Sequence, residues 1–287
     1  MEHPMRSIFA ILVIFIILVG AATGYDNKKA KKTVGEKPGD IIDIQIATSV
    51  NARMVWVPPG ESWLLGGKFK VGSQKFKVES GYWFSQYETT QLQWQAVMRE
   101  NPSKFKGPRN PVEQVTHHDV SQYIDRLNQN SKTSGFKFRL PTRNEWEYAA
   151  RGGPISKEDS KYCFYFAKSK TNLAPAFSND MSFMQANFNG KSPAGLGKPG
   201  QASLSTVPVG RYVPNTLGIY DLHGNVREWT STKTFNHYFV VGGSWEDLGD
   251  WCALDAYGLN MLANDPERKS NATGFRVIAE PVEEKAK

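Results

Sequence analysis

Gly218-Ile219-Tyr220-Asp221-Leu222-His223-Gly224-Asn225-Val226-Arg227-Glu228-Trp229-Thr230 says more about the architecture than any other part of the chain. Glycines at 218 and 224 and an asparagine at 225 mark tight turns between apolar residues. Asp221 and Glu228 place two carboxylates at either end of the turn, with Gly224 and Val226 between them. Calcium takes six to eight oxygen ligands, drawn from carboxylates and from carbonyls turned inward in such a loop. Asp221, Gly224, Val226 and Glu228 are therefore candidate Ca²⁺ ligands. The other reading is a turn in which the two acids cap backbone amides.

Upstream of this segment, from Gly153 to about Val209, regular periodicity disappears and Gly, Pro, Ser, Asn and Lys dominate. A coil that long inside a compact domain usually serves a function. Before it, three short helices are expected. Thr89 and Thr90 precede Leu92, Trp94, Val97 and Met98; Thr116 and Asp119 form a capping pair ahead of Val120, Tyr123, Ile124 and Leu127; Thr142 and Glu145 do the same for a helix from Asn144 to Arg151. Strands are expected at Met54–Val57, along the alternation Phe69 to Val78, at Gly81–Glu88, at Phe136–Leu140, at Tyr238–Val241 and at Gly274–Ala279. Few long helices and many turns describe an irregular α+β domain.

The chain has 287 residues, 40% hydrophobic and 22% charged, with eight Trp. It is read as residues 1–22 signal peptide or N-terminal anchor, 23–45 Lys-rich linker, 46–281 folded body and 282–287 charged tail. Arg6 precedes an apolar run from Ile8 to Val19, and Gly20, Ala21 and Ala22 follow. The run is short for a membrane span and fits a secretory signal cut near Ala22; if uncut, residues 8–22 anchor the chain to the membrane. No cysteine near the cleavage region supports a lipid-modified terminus. Export to the periplasm or the extracellular space follows. The net charge of +7 arises in part from the linker lysines, without a basic helix or an aromatic–basic stripe, so no nucleic-acid partner is expected. Cys163 and Cys252, the two cysteines, either pair in this exported context or remain buried thiols. Asn271-Ala272-Thr273 is a glycosylation sequon.

Seven segments in order resemble one family. They are Val55–Gly60, Tyr87-Glu88-Thr89-Thr90, Asn110–Thr116, Arg139-Leu140-Pro141-Thr142-Arg143-Asn144-Glu145-Trp146-Glu147-Tyr148-Ala149-Ala150-Arg151-Gly152, Gly218–Thr230, Gly242-Gly243-Ser244-Trp245 and Gly274-Phe275-Arg276-Val277. This pattern resembles the formylglycine-generating enzymes, or sulfatase-modifying factors. The resemblance implies a single irregular α+β domain of C-type-lectin-like fold, and calcium at Asp221, Gly224, Val226 and Glu228. It implies a second calcium at Asn187 and Phe188, for which this chain offers no acidic partner between Gly190 and Val209.

Active members of the family oxidise a substrate cysteine with oxygen and copper. The resemblance places their two copper-binding cysteines three and eight residues after Ser244. Those positions hold Asp247 and Cys252 here, and Arg227 replaces the family's usual Trp. A hard carboxylate is a poor Cu(I) ligand, whereas paired thiolates suit it. Copper is therefore not expected, and the histidines do not replace the missing thiol. The chain also has no room for the helical iron-binding domain of the sulfoxide synthases that share this fold. Cys252 is a buried apolar residue, a disulfide partner of Cys163 or a reactive thiol. Two functions remain. One is an exported, calcium-stabilised recognition or scaffold module for a protein or peptide partner. The other is an exported oxidoreductase acting on a peptide cysteine or a small molecule, as in siderophore maturation, through a site rebuilt from Cys252, Ser244 and Asp247.

Overall fold

Strand β1 (Ile41–Ala47) begins inside the stretch read from sequence as linker, which moves the start of the body ahead of Ile46. Its alternation buries Ile44 and Ile46 while Ile41, Asp43 and Gln45 are more open, and β2 (Val50–Val57) folds back on it with Ile41 opposite Val55. The Lys-rich context upstream hides this period-two pattern. The structure, a computed structural model, describes residues 34–64, 73–130, 133, 135–254, 256 and 263–282. The signal or anchor, most of the linker and the charged tail lie outside the described residues.

The hairpin grows into a five-stranded antiparallel sheet. β5 (Tyr82–Ser85) pairs with β2, Trp83 facing Trp56; β13 (Ile278–Pro281) pairs with β5; and β6 (Phe136–Arg139) closes the far edge. The last strand of the chain thus lies between β5 and β6. A four-stranded sheet carries the second half, in the order β11 (Ala263–Asn264), β10 (His237–Val241), β9 (Arg227–Thr234) and β12 (Thr273–Gly274). β12 runs parallel to β9, with Thr273 beside Arg227. β3 (Gly60–Leu64) with β4 (Gln74–Val78), and β7 (Phe164–Ala167) with β8 (Pro175–Ser178), form separate hairpins. Of the alternation starting at Phe69, Gln74–Val78 forms β4, and residues 69–72 lie outside the described ones. β7 and β8 are elements within a stretch read as coil; the four consecutive buried residues of β7 give no alternation to detect, and those of β8 are exposed or half-buried.

Three helices complete the domain: α1 (Gln91–Met98), α2 (His117–Gln129) and α3 (Arg143–Ala150). All three helices start with capping boxes, at Thr90/Gln93, Thr116/Asp119 and Thr142/Glu145. Each satisfies two amides that a helix start leaves without partners. Trp94 of α1 stacks on Tyr123 of α2 at 5.3 Å, and Phe275 meets both rings edge-on. α3 packs on β3 on one side and on β9 and β10 on the other. It also carries Trp146, fully buried, to the segment opened at Gly218. Among the described residues, no helix is long and apolar enough to cross a membrane.

Candidate functional site

The turn from Gly218 to Glu228 is held in left-handed backbone at Asp221 (φ 56°) and Asn225 (φ 64°) as well as at its glycines. Non-glycine residues adopt that region rarely, with Asn and Asp the tolerated exceptions. Gly224 is required by crowding. A Cβ there would lie 2.3 Å from the main-chain oxygen of Asn187. That same oxygen accepts the Asn225 amide at 2.7 Å, and the Asn187 side chain donates to Asn225 Oδ1 at 3.0 Å. The two candidate calcium segments, far apart in sequence, therefore meet at Asn187. Phe188 is buried beside it and its carbonyl accepts the Ser203 amide.

Three carboxylates are buried around one guanidinium. Glu228 receives Arg276 through both oxygens, at 2.6 and 2.7 Å, and Trp146 Nε1 donates to the second oxygen at 2.6 Å. Glu88 accepts the Val226 amide at 3.0 Å and Asn225 Nδ2 at 2.6 Å. Asp221 accepts the Gly210 amide at 2.6 Å. Burial, reinforced by neighbouring acids, pushes Glu88 well above the carboxylate range. Burial also pushes Asp221 up to about 6, against the opposing pull of the Gly210 amide and Arg276. One cation does not balance three acids, so the cluster carries protons or gains a second cation.

The donor set fits calcium in part. Asp221 lines a cavity of about 10 Å³ together with Gln185, Asn187, His223 and Asn225, which is close to the space one water or ion occupies. Glu228 faces Arg276 and Trp146, so its carboxylate is already engaged in the ion pair. Gly224 and Val226 sit in the turn as expected. His223 is no ligand. The Tyr165 amide donates to its Nε2 at 3.2 Å, which leaves Nδ1 to donate to the Cys252 carbonyl at 2.8 Å. Burial lowers its pKa to about 4 and keeps the ring neutral. Among the described residues no cluster of three His, Cys, Asp or Glu is arranged around a metal position.

The second candidate corner lies where β10 leads into Gly242-Gly243-Ser244. A Cβ on Gly243 would lie 2.6 Å from Cys252 Sγ, so glycine lets the thiol pack against the backbone. Cys252 is fully buried, and its thiol is pushed well up by burial and then by Asp247. Ser244 Oγ donates to Asp247 Oδ2 at 2.8 Å, and Arg227 Nη2 binds the other oxygen. Arg227 also reaches Glu246 at 3.1 Å. Ser244 thus lies beside both Asp247 and Cys252. However, Asp247 is held by a guanidinium, and the only thiol of the group is buried and protonated. Cys163 is buried as well, and no disulfide joins it to Cys252. These residues do not fit a two-thiolate Cu(I) site.

Sequence reasoning assigns no role to Glu88, Asn225, Trp146 or Arg276, although each lies inside one of the seven motifs. A signal exists: an acid flanked by Tyr and Thr at the end of a strand, and an arginine within an apolar strand entry. Both Glu88 and Arg276 are fully buried, which charged residues tolerate only when paired.

This geometry stands in a domain that matches the sulfatase-modifying factor enzyme 1-like domain over residues 44–281. The chain belongs to that family and has its C-type-lectin-like α+β fold. It is 32% identical over 201 residues to a protein named chaperone protein LppX of Paenibacillus barcinonensis, covering 57% of this chain and 68% of that one. It is 28% identical to the formylglycine-generating enzyme of Mycobacterium tuberculosis, covering 60% of this chain and 58% of that one. It is 33% identical to the inactive C-alpha-formylglycine-generating enzyme 2 of Bos taurus, covering 48% of this chain and 42% of that one. The chain thus spans well under two thirds of the two enzyme-named relatives. In fold it is similar to PvdO from Pseudomonas aeruginosa, with a TM-score of 0.62 at 22% identity, over 86% of this chain and 100% of that one.

Proposed function

We propose that this protein is an exported member of the family that does not carry out copper-dependent cysteine oxidation. It acts instead as a recognition or scaffold module for a protein or peptide partner, stabilised by calcium beside Asp221. The observation that carries this reading is Asp247, a carboxylate bound to Arg227 and Ser244 at the position of the family's first thiol. The surplus of buried acid around Arg276 supports the calcium. With one available carboxylate and otherwise neutral oxygens, binding falls at the weak, extracellular end of the range, about 10⁻⁴–10⁻³ M. Two relatives carry names in keeping with a non-oxidase role, one a chaperone and one an inactive enzyme. The apolar segment at residues 8–22 supports export.

Metal analysis of the purified protein tests the reading. After equilibration with millimolar Ca²⁺ and equimolar Cu(I), calcium near one equivalent and little copper are expected. One equivalent of copper that disappears in Cys252→Ser, with oxygen uptake on cysteine peptides, would overturn it.

A further inference from the structure

A cavity of about 250 Å³ opens between β2, the start of α1 and the loop at Val209, on the far side of the Tyr87–Thr89 segment that carries Glu88 and away from the Cys252 corner. Its lining includes Thr89 and Tyr123, which are 4% and 2% exposed. Among the described residues neither hydroxyl has a hydrogen-bond partner, and neither is sealed from solvent. Tyr123 is held rigidly, stacked on Trp94 with the Phe275 ring edge-on. Two buried hydroxyls that face an open cavity without partners are groups that water or a ligand must satisfy.

The rim carries charge. Arg53 lines the cavity but is neutralised by Asp43, at 3.0 Å through both nitrogens. Arg109 also lines it, exposed, with no carboxylate or hydrogen-bond acceptor on its guanidinium among the described residues. Its backbone is fixed by the Val209 amide, which donates to the Arg109 carbonyl at 3.0 Å. Tyr87 stands between the two arginines and feels both. The close approach of Gly210 to its ring, where a Cβ would lie 2.7 Å away, and the Tyr220 ring at 5.1 Å pin it in place.

One unpaired guanidinium matches a singly charged ligand rather than a doubly charged phosphate. A planar fork of donors pairs at two points with a carboxylate or a phosphate, and of these the carboxylate is the singly charged one at neutral pH. Unpartnered hydroxyls on two lining residues and fixed tyrosine rings suit a small polyhydroxylated body. The geometry points to a binding site for a hexuronic acid, a six-carbon sugar acid, whose carboxylate pairs with Arg109 and whose hydroxyls bond Thr89 and Tyr123. The site is independent of the copper corner, so it stands or falls separately from the reading above.

Calorimetric titration of the full chain with glucuronate, glucose and inorganic phosphate tests it, beside Arg109→Ala and Thr89→Val. Saturable glucuronate binding is expected, weakened at least tenfold by Arg109→Ala, by replacing the acid with glucose, and by raising the salt concentration. Thr89→Val weakens it further if that variant melts where the wild type does; if it does not, Arg109→Ala, an exposed change, decides alone. No heat with glucuronate at about 10 mM, equal binding of glucose, tighter binding of phosphate, or unchanged affinity in Arg109→Ala would each overturn the assignment.

Discussion

Asp221→Asn should make the calcium-free protein more stable at neutral pH. Asp221 titrates near 6 in the folded chain because it is buried, with Glu228 adding repulsion; in an unfolded chain an aspartate titrates near 3.9. The folded state therefore holds its proton to higher pH than the unfolded state. The stability that proton confers is complete below about pH 4 and is lost as pH rises to 6. A pKa that rises from about 4 to about 6 on folding corresponds to about 3 kcal/mol lost at pH 7. In Asn the acceptor oxygen for the Gly210 amide remains, whereas the charge does not. In a chelator at pH 7 the variant should gain up to about 3 kcal/mol, or about 6–12 °C in Tm for a domain of this size. Glu88 is raised for the same reason, so a shallower slope remains in the variant. Added calcium should narrow the gap, stabilising the wild type alone; with binding at about 10⁻⁴–10⁻³ M, millimolar calcium contributes roughly 0.4–1.4 kcal/mol. The assay is a set of thermal melts from pH 4 to 7.5, with chelator and with calcium. A wild-type melting point flat across pH 4–6.5 in chelator, or a variant less stable than wild type at pH 7, would refute the reasoning.

Glu228→Gln removes the carboxylate that Arg276 pairs with directly and leaves it only the charges of Glu88 and Asp221 nearby, so a loss of about 3 kcal/mol is expected in denaturant unfolding. Cys163 and Cys252 are both buried, so a colorimetric thiol reagent at pH 8 should label neither in the native protein within minutes and both after denaturation. Thr142→Ala removes one half of a formed capping box and should cost about 1 kcal/mol, measured by chemical denaturation.

The helices are legible in the sequence because their signals are local. Thr116 with Asp119, and Thr142 with Glu145, lie three residues apart, and each pair closes as its spacing implies. β1 is hidden by charged neighbours, and β7 because every residue in it is buried. At the site, Asp221 and Gly224 can be picked out because a tight turn leaves its mark in composition. The partners of the buried acids cannot. Glu88, Glu228 and Arg276 come from three distant segments, and only the folded sheets place Arg276 Nη2 at 2.6 Å from Glu228. Paired charges at long separation leave no periodic trace. Nothing near Glu228 in the sequence therefore tells that a guanidinium, rather than a metal ion, holds its carboxylate.

Arg227 and Asp247 form one structural unit. Arg227 begins β9, beside Thr273 of β12, and its side chain is largely covered. A covered guanidinium needs a carboxylate, and Asp247 is the residue that Arg227 Nη2 reaches. Asp247, only slightly exposed itself, needs the cation in return. With Trp at 227, Asp247 would have lost that partner; with Cys at 247, Arg227 would have kept only the more exposed Glu246. The pair fills the corner beside Ser244 and Cys252. Introducing a cysteine at 247 alone would therefore leave a covered cation beside the new thiol. What occupies the corner is an ion pair built into the end of a strand. The Glu88–Glu228–Arg276 frame on which the fold closes has no part in it.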